Sequence, residues 1–146
     1  DSVLSTVAQA AAAAQRYLGA TGYLATILDA GENTFITNLI GGPAWIGLSD
    51  AAVEGEWRWL DGPEAGDLAV YTNWAANEPN DYISGEDYTQ IRTNGTWNDH
   101  GLPNFPSYRH GYVVEYSPVP APTTLALLGM GLAGFGFIRR KRLTQD

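Results

Sequence analysis

The sequence contains no cysteine, so no disulfide can staple the fold. Stability must come from a packed core and from whatever the domain binds. Basic residues are scarce over most of the chain. Residues 1–118 hold four Lys and Arg against fifteen Asp and Glu, a net charge of −11, while residues 119–146 carry +3. Nucleic-acid binding rests on Lys and Arg facing phosphates, so the acidic body excludes that class of partner. There are only two histidines, His100 and His110. No recognised motif sets a nucleophile beside either, so neither signals catalysis. Between Glu78 and Asp99 there is no lysine, and Arg92 is the one arginine.

What is present suits one folded domain. The chain has 146 residues, 45% of them hydrophobic, with five tryptophans, which is enough for a real core and excludes a disordered chain. Ala-rich residues 4–18 predict a helix, with Val7, Tyr17 and Leu18 among its apolar contacts and Gly19 and Gly22 ending it. Asp29, with Glu32 three residues on, predicts a capping box opening a second helix that runs to about Ile40. Gly41-Gly42-Pro43 stops it. Trp45–Leu48 reads as a short buried strand. Glu56–Leu60 alternates, placing Trp57 and Trp59 on one face of a strand. Gly62–Asn80 reads as a long loop, and such loops in compact domains are often functional. Tyr88–Arg92 and Thr96–Trp97 form a hairpin turning at Asn94-Gly95. Gly101–His110 is another loop, and Tyr112–Tyr116 is a last strand. Helices early and antiparallel strands later indicate an α+β fold.

The most informative stretch is a 22-residue window, Glu78 to Asp99. It gathers Glu78, Asn80, Glu86, Asn98 and Asp99, all hard oxygen donors. Carboxylates crowded without a basic partner repel one another unless a cation joins them. Carboxylates and amide carbonyls without Cys or His suit Ca²⁺, which takes about 6–8 oxygen ligands.

The strings Glu78-Pro79-Asn80-Asp81, Gly85-Glu86-Asp87 and Trp97-Asn98-Asp99 resemble the calcium and sugar site of a C-type lectin domain. Gly22–Ile27, Glu32–Ile36, Trp45–Leu48 and Tyr112–Tyr116 resemble that family's core elements, in family order. The resemblance implies a C-type lectin-like fold over residues 1–117, with two helices, short antiparallel strands and a long calcium-binding loop region. It implies that Glu78, Asn80, Glu86, Asn98 and Asp99 hold a primary calcium and meet the sugar, with the Glu78–Pro79 bond cis. A second calcium is implied at Asp50, Glu54, Asp81 and Asp87, with a backbone oxygen of Glu86. A solvated acidic loop is the alternative for that set. The order Glu then Asn across the proline implies sugars with equatorial 3- and 4-hydroxyls, such as mannose, glucose and N-acetylglucosamine. Tyr82, His100 and Tyr108 are candidates to line the sugar, and Trp97 to pack beneath the site. The family's usual cysteines are absent, with Tyr88 and Val114 at two of their positions, which fits a bacterial member. The strand that the family sets before its first helix is not legible.

Two other readings bear on function. A glycoside hydrolase also uses paired carboxylates, but nothing isolates one acid in an apolar pocket. A structural or protein-binding module on the same fold is the second, and the five retained ligand residues argue against it. The tail is separate in character. Residues 118–122 form a Pro-rich linker. Thr123–Ile138 is a 16-residue uncharged run, and Arg139-Arg140-Lys141-Arg142 follows at once. Residues 118–142 together resemble a PEP-CTERM sorting tail of Gram-negative bacteria, with Ala121 where that motif usually has Glu. A plain C-terminal membrane anchor is the simpler alternative. Either reading predicts an exported protein that meets the membrane through residues 123–142, whose body binds carbohydrate with Ca²⁺ and performs no reaction.

Overall fold

The computed structural model describes residues 4–82, 85–101 and 110–117. Tyr108, the linker and the C-terminal tail therefore lie outside the described residues. Helix α1 spans Ser5–Ala13 and buries Ser5, Ala8 and Ala12 along one face. It ends sooner than its composition predicts. Leu18 (φ 47°) and Gly19 (φ 86°) form a two-residue turn that folds β1 (Arg16–Tyr17) antiparallel onto β2 (Ala20–Leu24). Val7, Tyr17 and Leu18 are accordingly exposed, Leu18 by 84%. The small side chains of Ala8 and Ala12 bring α1 against Leu24 and Trp45 instead.

Helix α2 spans Ala30–Leu39. Asp29 caps it, its Oδ1 accepting from the Gly31 and Glu32 amides at 2.7 and 2.9 Å. Glu32 reaches back one residue further than a capping box requires, to the Leu28 amide at 2.6 Å. The buried strand β3 (Ala44–Ser49) is the centre of the larger sheet, ordered β4-β3-β5-β6. It pairs antiparallel with β4 (Arg58–Trp59) and β5 (Tyr88–Ile91), and β5 pairs antiparallel with β6 (Trp97–His100). The predicted strand Glu56–Leu60 pairs only at Arg58 and Trp59, yet Trp57 and Trp59 both pack on the same core.

The predicted closing strand divides in two. β7 (Gly111–Tyr112) runs parallel to β3, and β8 (Val114–Tyr116) pairs antiparallel with β2. Val113 joins them, donating its amide to the Trp45 carbonyl and accepting from the Ala25 amide, with its side chain in the core. A single segment thus ties the three-stranded sheet β1-β2-β8 to the larger one. No strand precedes α1 among the described residues. Among them, too, no helix is long and apolar enough to cross a membrane.

β3 passes close to the β2 backbone at Gly47. A Cβ there would lie 2.7 Å from the Leu24 carbonyl oxygen, and the Gly47 amide already donates to Ala25 at 2.9 Å. Gly47→Ala should cost about 1–3 kcal/mol by forcing the strands apart. Chemical denaturation checks this, since an unchanged midpoint would mean that the strands separate freely.

Candidate metal and sugar site

The long loop reaches the sheet by backbone bonds to β6. The Trp97 amide donates to Asn73, and the Ala75 amide donates to Trp97, each at 2.8 Å. Trp97 is fully buried, its Nε1 donating to Asn33 Oδ1 at 2.8 Å, with the rings of Tyr71 and Trp74 edge-on to it. The loop is therefore pinned just before Glu78, where the peptide bond to Pro79 is cis.

Four of the five predicted primary ligands come together here. Asp99 is 1% exposed, and its Oδ2 accepts from the Asn80 and Asp81 amides at 2.7 and 2.6 Å. Its Oδ1 is buried with no hydrogen-bond partner. Glu78 lies beside it, and Asn80 donates its side-chain amide to Glu78 Oε2. Asn98 follows on β6, opposite Gln90 of β5. Burial, then the charge of Asp99, raises the pKa of Glu78 from its ordinary value. Glu86 is held by other partners. Its Oε2 accepts from the Tyr82 amide at 3.2 Å, and its Oε1 pairs with His100 Nδ1 at 3.1 Å.

The carboxylates of Asp50, Glu54 and Asp87 each bring one oxygen within 4.8 Å of the others, the one such group among the described residues. Asp50, at the end of β3, is buried. Its Oδ2 accepts from the Gly55 amide at 3.0 Å, while Oδ1 has no partner. Its pKa is raised first by burial, and the Glu54 pKa is raised first by the charge of Asp50. Asp81 spends its Oδ1 on the Gly85 and Glu86 amides, at 2.5 and 3.3 Å.

Two residues of the site escaped the sequence reading. Arg92 is not a bystander, because its Nη2 donates to Glu78 Oε1 at 3.2 Å and to Asn98 Oδ1 at 2.5 Å. The carboxylate window thus has a basic partner after all. The signal lay in the hairpin, since Gln90 faces Asn98 and Arg92, two residues on, shares that face. His110 stacks near His100, ring centroids 5.4 Å apart, with Trp45 against both. Burial, then His100, lowers the His110 pKa. Tyr82 is exposed at the loop's edge.

The donor set fits a hard divalent ion. Asp99 and Asp50 each hold a buried carboxylate oxygen that meets no donor, beside Glu78 and Glu54 respectively, and either a cation or a proton shared with that glutamate offsets the cost. Comparison with known sequences gives the lineage. The Lectin C-type domain matches residues 4–101. The chain belongs to the C-type lectin family. A PEP-CTERM protein-sorting motif matches residues 118–142 of this C-type lectin. It is similar to halomucin of Haloquadratum walsbyi, 36% identical over 127 residues that cover 80% of the chain but 1% of that relative's length. Its fold is that of the C-type lectin CEL-I from Cucumaria echinata, with a TM-score of 0.66, 26% identity and 80% and 85% of the two chains covered. It is also that of the cow CD23 carbohydrate-recognition domain, with a TM-score of 0.63, 30% identity and 81% and 84% covered. An α+β C-type lectin-like fold is therefore established.

Proposed function

We propose that this C-type lectin is a calcium-dependent carbohydrate-binding module of an exported bacterial protein, with residues 1–117 as the binding domain. The observation that carries this reading is Asp99. It is a buried carboxylate with one oxygen fixed by two amides and the other unpartnered, bordered by Glu78, Asn80 and Asn98. Glu78, Asn80, Glu86, Asn98 and Asp99 would hold the primary ion. Asp50, Glu54 and Asp87, with Asp81 and the Glu86 backbone, would hold a second that braces the loop. A bound calcium supplies open coordination positions for two neighbouring sugar hydroxyls.

The chain's own residues then set the choice of sugar. Glu78 accepts from a hydroxyl and Asn80 donates to one, in a fixed order across Pro79. That order favours mannose-type sugars over galactose. The cow CD23 structure, determined in the presence of a GlcNAc2Man3 oligosaccharide, supports the same class. The sorting motif supports export and surface retention, with residues 118–122 as linker and 123–142 meeting the membrane. No reaction is assigned to the domain.

Exchanging the pair as Glu78→Gln with Asn80→Asp keeps one carboxylate and one carbonyl but reverses donor and acceptor. Calcium should still bind, while mannose affinity should fall by about 1–3 kcal/mol for each mismatched hydrogen bond. Competition by free monosaccharides against an immobilised mannose-type glycan measures this. Unchanged mannose preference in the exchanged variant would remove Glu78 and Asn80 from the sugar site.

A further inference from the structure

Arg92 sits one residue beyond β5, with its backbone amide bonded to Thr96 across the hairpin turn at 2.9 Å. Its Nη2 alone bridges Glu78 Oε1, from the long loop, and Asn98 Oδ1, from β6. The other described arginines are engaged elsewhere. Arg58 pairs with Glu56 at 2.7 Å, and Arg16 donates to the carbonyls of Ala13 and Gln15. The bridge is also partly shielded, since the Glu78 side chain is 11% exposed and that of Arg92 40%. Such a pair is not a loose surface contact. Removing its cation would leave the Glu78 carboxylate facing buried Asp99 with no positive partner.

We propose that Arg92 is a resident counter-cation of the primary site: it holds Glu78 and Asn98 together in the calcium-free protein and opposes the incoming ion. The inference rests on the reading of those two side chains as calcium ligands. A carboxylate oxygen and an amide carbonyl can each serve a guanidinium and a metal, because each oxygen has two lone pairs. The two cations still repel one another at this range. Arg92 therefore acts in opposite directions on two quantities. It stabilises the empty site, because it supplies the charge that Glu78 and Asp99 lack. It weakens the filled one, because a unit charge stands a few ångströms from a divalent ion. The loop carrying Glu78 is then already docked on β6 before calcium arrives, and the affinity for the ion is set lower than the carboxylate count alone implies. Arg92 is a positioning and affinity-setting residue, not a sugar contact.

The test compares the full chain with Arg92→Gln and Arg92→Lys, by calorimetric titration with calcium chloride and by thermal melts in chelator. Arg92→Gln is expected to melt lower in chelator than the unaltered chain. Its calcium affinity is expected to rise about tenfold, as the loss of Coulomb repulsion outweighs the loss of prior order. Arg92→Lys keeps the charge but not the planar fork. It should keep the calcium affinity of the unaltered chain while melting lower in chelator. Should Arg92→Gln not fold, the lysine variant still decides, because a raised affinity there would show that shape rather than charge matters. An Arg92→Gln affinity that is unchanged or weaker overturns the proposal while leaving the calcium site standing. If the unaltered chain takes up no calcium, the ligand assignment itself fails and Arg92 has no ion to oppose.

Discussion

Melting temperatures of the full chain are expected to differ by about 10 °C between excess calcium and chelator at neutral pH. Calcium at 100 times its dissociation constant adds about 2.7 kcal/mol per site, and a domain of this size moves by several degrees for each kcal/mol. The difference should shrink on acidification, and the sign can be worked from both ends. In the calcium-free chain the pKa values of Asp50, Glu54 and Glu78 are raised, by burial for Asp50 and Glu78 and by the charge of Asp50 for Glu54. Groups raised in this way favour the fold while protonated, and that contribution is lost as pH rises through the raised values. Acid therefore relieves the empty sites. The filled sites need ionised ligands, so stability conferred by calcium is present near neutrality and lost as pH falls through the same range. Melts at pH 7 and at mildly acidic pH, each with and without chelator, read the gap directly. A gap that is constant with pH, or absent at pH 7, would mean that these carboxylates do not hold the ion.

Asp99→Asn is expected to lower calcium affinity by more than about 100-fold while the domain stays folded. Loss of an outer-shell partner already costs about 10–100-fold at metal sites, and Asp99 is placed as a ligand itself. The substitution is conservative for the fold. Asparagine retains one oxygen to accept from the Asn80 and Asp81 amides, which now bond to Oδ2 at 2.7 and 2.6 Å. It removes the charge that stands beside Glu78 and the oxygen that has no partner. In chelator the variant should melt no lower than the unaltered chain, and calcium should then move it little. Calorimetric titration and paired melts give both numbers. A variant that binds calcium as the parent does would show that the unpartnered oxygen of Asp99 serves another purpose.

The parts of the molecule that were legible in the sequence are those encoded locally. Asp29 with Glu32 announces the start of α2, and Asn94-Gly95 announces the hairpin between β5 and β6. Gly95 adopts φ 83°, and its amide bonds back to the Arg92 carbonyl. The spacing from Glu78 to Asp99 carries the family pattern because the candidate ligands lie on one loop and on β6, at the far side of the short hairpin that follows it. What was not legible depends on partners distant in sequence. α1 composition predicts a helix through Leu18, but pairing with β2 takes Arg16 and Tyr17 into a strand. Tyr112–Tyr116 alternates like one strand, yet Val113 hands the chain from β3 to β2. Arg92 is hidden for the same reason. Its nearness to Glu78 arises only when the loop docks through Asn73 and Ala75 on Trp97, and counting charges along the window does not reveal it.

In the proposed mechanism, sugar binding runs through a calcium held by Glu78, Asn80, Glu86, Asn98 and Asp99. The most direct measurement is retention of the chain on an immobilised mannose-type glycan, in calcium and in chelator, with free mannose and free galactose as competitors. Retention in calcium, release by chelator, and displacement by mannose at lower concentration than galactose are the expected results. Equal retention in chelator, or equal competition by the two sugars, would contradict the mechanism.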